Sequence, residues 1–340
     1  MRTPIHTATS SVLALALLGV LAPAAAEVAP PRDDRGTLGL SIDNDLFGGS
    51  DRHYTAGSLL TYRAPTDLPP GWLDRFADSL LPLVTAGSTR RWGLALGQHI
   101  FTPEDTDRPN PDPDDRPYAG WLYGVFTLSS ATATRYGSLE LQLGVVGPAA
   151  LGEQAQNNVH DFFNIDRALG WDYQLANEPG VNLVYSRLWR YNFPFAADAP
   201  DGLAWGIVPN FVVSLGNVHT YAATGAMLRV GRNLGTDFGP PRARPSVAGS
   251  AFVDPTDEWG WYLFAGLDGR AVARDIFLDG NTWQDSRSVD KKHFVGDASL
   301  GAAVVFPWGR ISYVHTFRTA EFEGQGTLAE FGSVTLSVRF

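Results

Sequence analysis

Four groups of polar residues have the types and spacings that could do chemistry. The first is Asp43-Asn44-Asp45, with Asp51 beyond it; the second is Tyr54-Thr55-Ala56-Gly57. The third gathers Asp107, Arg108, Asp112, Asp114, Asp115 and Arg116, and the fourth runs from Glu153 to Asn164. Carboxylate and amide oxygens so concentrated suit a hard cation such as calcium, with Asp45 and Asp43 as candidate ligands. Acidic surface loops that bind divalent ions only loosely have the same composition, and both readings stand at this point. His160 is the histidine of the fourth group. At about 100° per residue, Glu153, Gln156, Asn157, His160 and Asn164 fall within roughly a third of a helical turn. Leu151, Ala155, Val159 and Phe162 fall opposite, so the spacing predicts an amphipathic helix with a His on a strip of amides and carboxylate. Gly147-Pro148 suits its start. The same wheel describes a surface helix that covers an opening and turns a solvated polar face outward. His53 and His99 are weaker candidates, one as a loop residue and one as a residue lining an interior. Neither a GxSxG nucleophile elbow nor an HExxH zinc motif occurs.

The elements that must position these groups are strands. Residues 1–26 read as a secretory signal: Met1-Arg2, the apolar run from Val12 to Leu21, and Ala24-Ala25-Ala26 before Glu27. The run is too short to span a membrane as a helix, and no later stretch is long and apolar enough. The chain has no cysteine, which excludes a lipoprotein anchor, a disulfide framework and a thiol nucleophile. A net charge of −10 argues against a nucleic-acid partner. Alternation is the dominant pattern. Leu139, Leu141, Leu143 and Val145 share one face, while Ser138, Glu140, Gln142 and Gly144 share the other. Leu38, Leu40 and Ile42 alternate in the same way, as do Trp92, Leu94 and Leu96. The last segment sets Val334, Leu336, Val338 and Phe340 against Thr335, Ser337 and Arg339. A secreted sandwich would show this period too. The signal sequence and the terminal aromatic favour an all-β transmembrane antiparallel barrel over residues 27–340, in the outer membrane of a Gram-negative cell.

About twelve strands are predicted, near 37–45, 54–63, 91–101, 118–130, 136–146, 181–192, 203–216, 221–233, 259–274, 290–305, 309–317 and 330–340. An even number places both termini in the periplasm, so 46–53, 102–117 and 147–180 become outer loops. Segments 64–90 and 234–258 then face the periplasm. All four polar groups arrive at the outer rim, Asp43 and Asp45 directed into the lumen and the predicted helix hanging over the barrel mouth.

At these residues the sequence resembles the outer-membrane lipid A 3′-O-deacylases. The likeness rests on Asp43–Gly57 (DNDLFGGSDRHYTAG), Gly97–Pro109 (GQHIFTPEDTDRP), Asp115–Trp121 (DRPYAGW), Gly144–Phe163 (GVVGPAALGEQAQNNVHDFF) and Trp171–Gly180 (WDYQLANEPG), in that order. It implies a twelve-stranded barrel that removes the 3′-linked acyloxyacyl group of lipid A in a calcium-dependent reaction. A His base would activate water there, with calcium and nearby polar groups stabilising the oxyanion. Residue by residue, His160 matches the base, Asn44 and Asp45 the Asn-Asp pair at the calcium site, Thr55 the polar residue of the Tyr-Thr-x-Gly motif, and Gln156 the helix amide. Arg108 stands where some members have Lys, and Asp166 near a family Glu. Ester hydrolysis by water needs a base of near-neutral pKa, for which His is the usual choice, and positive charge where the oxyanion forms. Arg108, and after it Arg116, are the candidates to hold the anionic glucosamine phosphate of the substrate. Expected partners are lipopolysaccharide and outer-membrane lipids, with the protein acting as a monomer. Two other functions compete. An outer-membrane phospholipase would need a Ser beside a His, in an HxSxG-type segment that is absent. A porin or adhesin barrel would carry rim residues without catalytic geometry.

Overall fold

The structure, a computed structural model, describes residues 32–44, 53–66, 71–72, 75, 88–198, 202–240, 256–326 and 328–340, with His53 to Thr55 described by backbone alone. The strands are β1 (Thr37–Asn44), β2 (His53–Arg63), β3 (Thr89–Thr102), β4 (Ala119–Ala131), β5 (Arg135–Val146), β6 (Glu178–Trp189), β7 (Tyr191–Pro194), β8 (Leu203–Gly216), β9 (His219–Arg232), β10 (Gly260–Asp275), β11 (Phe294–Phe306), β12 (Gly309–Arg318) and β13 (Ala329–Arg339). Each pairs antiparallel with its neighbours, and β1 pairs with β13. The pairing of β6 with β8 closes the ring. Strand β7 continues β6 on the same partner: Leu188 stands opposite Asn210 and Tyr191 opposite Ile207. Twelve strands therefore span, with one interrupted at Arg190, where the sequence pattern predicts a continuous strand over 181–192. Among the described residues no helix is long and apolar enough to cross a membrane.

Alternation sorts the side chains into two populations. On β1, Leu38, Leu40 and Ile42 are exposed on the outside, while Thr37 and Ser41 are buried in the lumen. On β5, Leu141 and Leu143 point out, and Ser138, Glu140 and Gln142 point in. Leaving leucines on the outside is favourable only against hydrocarbon, as expected of a membrane barrel. Aromatic pairs stand along the periplasmic end, with Tyr62 on Trp92 and Phe340, Phe193 on Trp205, and Phe306 on Trp308. They form the interfacial girdle such barrels carry. Side chains crowd the lumen toward both ends and leave a cavity between them lined by Ser41, Thr61, Glu140 and Gln142. Toward the outer end Phe101 stacks on Phe277 at 4.0 Å and Trp121 on Tyr123 at 5.0 Å. At the same end Arg318 and Arg270 bind Asp297 and Glu321. At the periplasmic end the fully buried Asp237 accepts hydrogen bonds from Arg229, Arg310 and Tyr262.

Two helices lie in outer loops: α1 (Gly152–Phe163) between β5 and β6, and the one-turn α2 (Ile276–Asp279) after β10. Helix α1 does not begin directly at Gly147-Pro148. A 3-10 turn over Pro148–Ala150 comes first, then Leu151 in the left-handed region at φ 58°, where the chain bends into the helix.

Candidate active site between helix α1 and the barrel wall

Where α1 rests is decided by two glycines. A Cβ on Gly120 would meet the Ala150 Cβ at 3.0 Å and the Gly152 N and Cα at 3.2 and 3.3 Å. Only a side chain of hydrogen lets the helix start come this close. Gly120 lies on the outward side of β4, since its neighbours Ala119 and Trp121 belong to the core filling the lumen. Beside it on β3, Ile100 has the parity of the exposed Leu94 and Leu96, yet it is buried against Tyr118, Ala168 and Trp171, with Ala155 of α1 packed on the same cluster. Gln98, also outward, donates to the Ala150 carbonyl at 2.7 Å. Helix α1 is thus laid along the outer surface of the wall at its outer end. This corrects the placement expected from sequence, in which the helix hung over the mouth.

The wall beneath α1 carries the other candidates. In the ladder, Asn44 pairs with Ala56, Ala56 with Ile100 and Ile100 with Gly120, a single row across β1, β2, β3 and β4 on the outward side. The register of β2 against β3 skips a residue between Tyr54 and Ala56, so Thr55 is the extra residue of a β-bulge. Bulges concentrate beside active sites because they redirect a side chain. Asn44 and Thr55 therefore come to the same rim as α1. Asp43 does not: its carboxylate accepts a hydrogen bond from the buried Ser333 hydroxyl, on the lumenal side of β1. Asp45 lies outside the described residues, as does Asp51. Among the described residues no three His, Asp or Glu side chains converge as a metal site.

Helix α1 is turned opposite to the usual sense of amphipathic helices. Its buried residues are Gly152, Gln156 and His160, while Leu151, Val159, Phe162 and Phe163 are exposed. Gln156 and His160 of the polar strip thus face the protein, while Asn164 at its end is exposed. His160 is 5% exposed, and its Nδ1 lies 2.6 Å from the Asp166 carbonyl oxygen. A carbonyl can only accept, so the Nδ1 carries a proton, which leaves the Nε2 as the ring nitrogen able to present a lone pair. The chain reversal that supplies this carbonyl starts at Asn164, in the left-handed region at φ 58°, with the Ile165 N–H donating to the His160 carbonyl at 2.8 Å. Asp166 serves through its backbone.

Gln156 is 3% exposed; its Oε1 accepts from the Trp171 indole N–H at 3.0 Å. That bond fixes which way the amide faces. Its Nε2 has no hydrogen-bond partner among the described residues, leaving a buried, oriented donor whose desolvation is uncompensated. Asn157 holds the return segment through the Ala168 N–H. On the outer side Arg167 donates to Asp161 and keeps that carboxyl below its ordinary range, so the residue after His160 stays ionised.

The two arginines differ. Arg108 is half-exposed and ion-paired with Asp112 at 3.3 Å, four residues on in its own loop. Arg116 is buried, 3.5 Å from Glu321, with its guanidinium over Phe101 and Phe322. Glu321, in the loop before β13, would be raised by burial, but Arg318, Arg116 and Arg270 hold its carboxyl below the usual range. His99 lines the lumen, 3.3 Å from the Tyr123 hydroxyl. Sequence reasoning gave no role to Gln98, Gly120, Gly152 and Trp171, although each lies in a motif that carries the resemblance; their roles are set by contacts with distant segments.

Comparison with known proteins bears on this arrangement. A search of curated proteins finds no match. Among solved structures, LpxR from Salmonella typhimurium superposes with a TM-score of 0.73 at 22% identity, covering 89% of this chain and all of that one. The β domain of the Bordetella autotransporter BrkA matches at 0.45 and 11% identity, over 91% of this chain and all of the other. The translocator domain of NalP from Neisseria meningitidis matches at 0.33 and 13%, over 91% and 87%. The family model described as outer membrane protein LpxR matches residues 12–340. The chain belongs to the LpxR family of outer-membrane proteins.

Proposed function

We propose that this protein hydrolyses the 3′-linked acyloxyacyl ester of lipid A in the outer leaflet, with His160 as general base. The observation that carries the reading is the seat of His160: a buried imidazole with its Nδ1 proton committed to the Asp166 carbonyl, on the helix whose start rests on the outward face of the wall. A base above the lumen would meet only water and loop. A base on the outer side of the wall stands in the leaflet where lipid A resides, and an ester could approach it laterally without leaving the membrane.

The residues divide the work. The Nε2 of His160 takes a proton from water as the water oxygen attacks the ester carbonyl, and returns it to the alkoxide that leaves. The Gln156 amide, held by Trp171, offers an N–H to the developing oxyanion. Helix α1 starts over β4 at Gly120 and continues over β3 at Ala155, so its axis heads toward β2 and β1, which bring Thr55 and Asn44. The oxygen donors there suit calcium: Asn44 and Asp45 are the ligands we assign, with Asp43, on the lumenal side, a weaker third. Bound calcium would supply positive charge to the oxyanion. Arg108 is the cation we assign to the substrate phosphate. Its exposed pair with Asp112 is of the kind worth about 0–1 kcal/mol, so a phosphate can replace the carboxylate. Arg116, committed to Glu321, holds the loop instead. The protein acts as a monomer.

The test is mass spectrometry of lipid A from cells producing the protein. Loss of the 3′ acyloxyacyl unit is expected, and its loss should fall about 10²-fold or more with His160→Asn, which keeps hydrogen bonding and removes the base. Unchanged lipid A in the presence of a folded, heat-modifiable barrel, or full turnover by His160→Asn, would overturn the proposal.

A further inference from the structure

The outward residues of α1 are not a random set. At about 100° per residue, Gly152, Gln156 and His160 span one sector of about 80° toward the wall. Leu151, Ala155, Val159 and Phe162 fill a sector of about the same width on one flank. Asn157, Asp161 and Gln154 occupy the other flank and the back, and Asn158 borders the apolar flank, about 40° from Phe162. The helix therefore has three sides: one against protein, one apolar and one polar. On the apolar flank Phe162 is 82% exposed, and Phe163 at the helix end is 62% exposed and meets Phe162 edge-on. No described residue covers them.

The flank is continuous with a surface already assigned to hydrocarbon. Ile100, under α1, lies on the same outward face of β3 as the exposed Leu96 and Leu94, the nearer of them about 13 Å down the strand at the usual rise per residue. Leu40 and Ile42 on β1 and Leu141 and Leu143 on β5 carry the apolar belt to either side. A helix clamped to the outside of this belt, apolar on one flank and polar on the other, has the form of an interfacial helix lying in the plane of a leaflet.

We infer that α1 is seated in the outer leaflet, with Leu151, Val159 and Phe162 inserted among acyl chains, Phe163 beside them, and the Asp161 side in the headgroup layer. The partner is the acyl-chain region of the membrane. The seat fixes the depth of His160 relative to the bilayer, so that a base one turn from the inserted flank works at the level where acyl chains join the sugar. This role goes beyond the proposed chemistry, and only its kinetic consequence rests on that chemistry.

Because the chain has no cysteine, a single introduced one can be labelled without background. Phe162→Cys and Asp161→Cys, each carrying a nitroxide and refolded into vesicles containing lipopolysaccharide, are compared by collision with oxygen, which partitions into hydrocarbon, and with a water-soluble nickel chelate. The label at 162 should be reached by oxygen and shielded from nickel, and the label at 161 the reverse. Equal access of nickel to both positions would overturn the inference whether or not the protein hydrolyses lipid A. In the second arm, Phe162→Ser/Phe163→Ser should lose at least tenfold in rate on substrate in vesicles and keep its rate on detergent-dispersed substrate. Equal losses in both formats would mean that the two phenylalanines support the site itself, and would overturn the seating role.

Discussion

Gly120→Val tests whether contact between α1 and the wall is what positions the base. The Cβ alone would stand 3.0 Å from the Ala150 Cβ and 3.2 Å from the Gly152 N, against about 3.5–4.0 Å for unstrained carbon contacts. The two γ-methyls reach further in the same direction. Relief requires α1 to retreat by about 1–2 Å from the wall, because β4 is held on both sides by its ladders to β3 and β5. Overpacking of this kind typically costs about 1–3 kcal/mol. Here it falls on a loop helix and not on the ring of strands, so the barrel should still fold and keep its heat-modifiable migration on gels. Catalysis is more exacting: a displacement of about 1 Å can cost about 10² in rate. Gly120→Val should therefore lose about two orders of magnitude in lipid A deacylation. Gly120→Ala, for which the neighbours need give only a few tenths of an ångström, should lose about tenfold or less. Rates come from mass spectrometry of purified lipid A incubated with refolded protein. A folded Gly120→Val barrel with normal rate would refute the reasoning, since the base would then be held by something other than the seat of α1 on β4.

Two further outcomes are expected. Excess chelator should abolish deacylation and added calcium restore it, with Asp45→Ala requiring more calcium than wild type; full activity in chelator would remove the metal from the mechanism. At the periplasmic end, burial would raise Asp237, but Arg310 and Arg229 hold its carboxyl below the ordinary aspartate value of 3.8. A depressed carboxyl contributes stability that is present above 3.8 and lost as pH falls through the folded value. Asp237→Asn, which leaves two buried guanidinium groups unbalanced, should cost about 3–5 kcal/mol at neutral pH and flatten the acid limb of the thermal unfolding temperature against pH; an unchanged limb would show that the network does not couple to folding.

Much of the barrel is legible in the sequence because lipid and lumen impose opposite demands on alternate residues. The expected 54–63 and 309–317 fall within a residue of β2 and β12. What escaped depends on distant partners. The interruption at Arg190 has no local signature: its N–H goes to Thr134 and its guanidinium to the Ala133 and Asp237 carbonyls, each remote in sequence. Strand β11 begins at Phe294, and not near 290, because Lys291 and Lys292 are engaged with Asp279 and with the loop before β13.

The candidate site divides along the same line. Which residues of α1 share a face follows from a rotation per residue, so the grouping of Gln156 with His160 could be read directly. Which face turns inward could not, because the rule that apolar faces go inside presumes water outside. Against hydrocarbon the rule inverts, and a polar strip becomes the side a helix hides. The same inversion moves the site. The parity of Asn44 and the Gly120 opening both point to the outward side of the wall, but the row that joins them through Ala56 and Ile100 exists only in the strand register, which pairs residues many positions apart. Once the register is known, a buried His on the helix that rests on the wall, a bulge at Thr55 and an amide at Asn44 share one rim, and a substrate dissolved in the leaflet can approach them from the side without crossing the lumen.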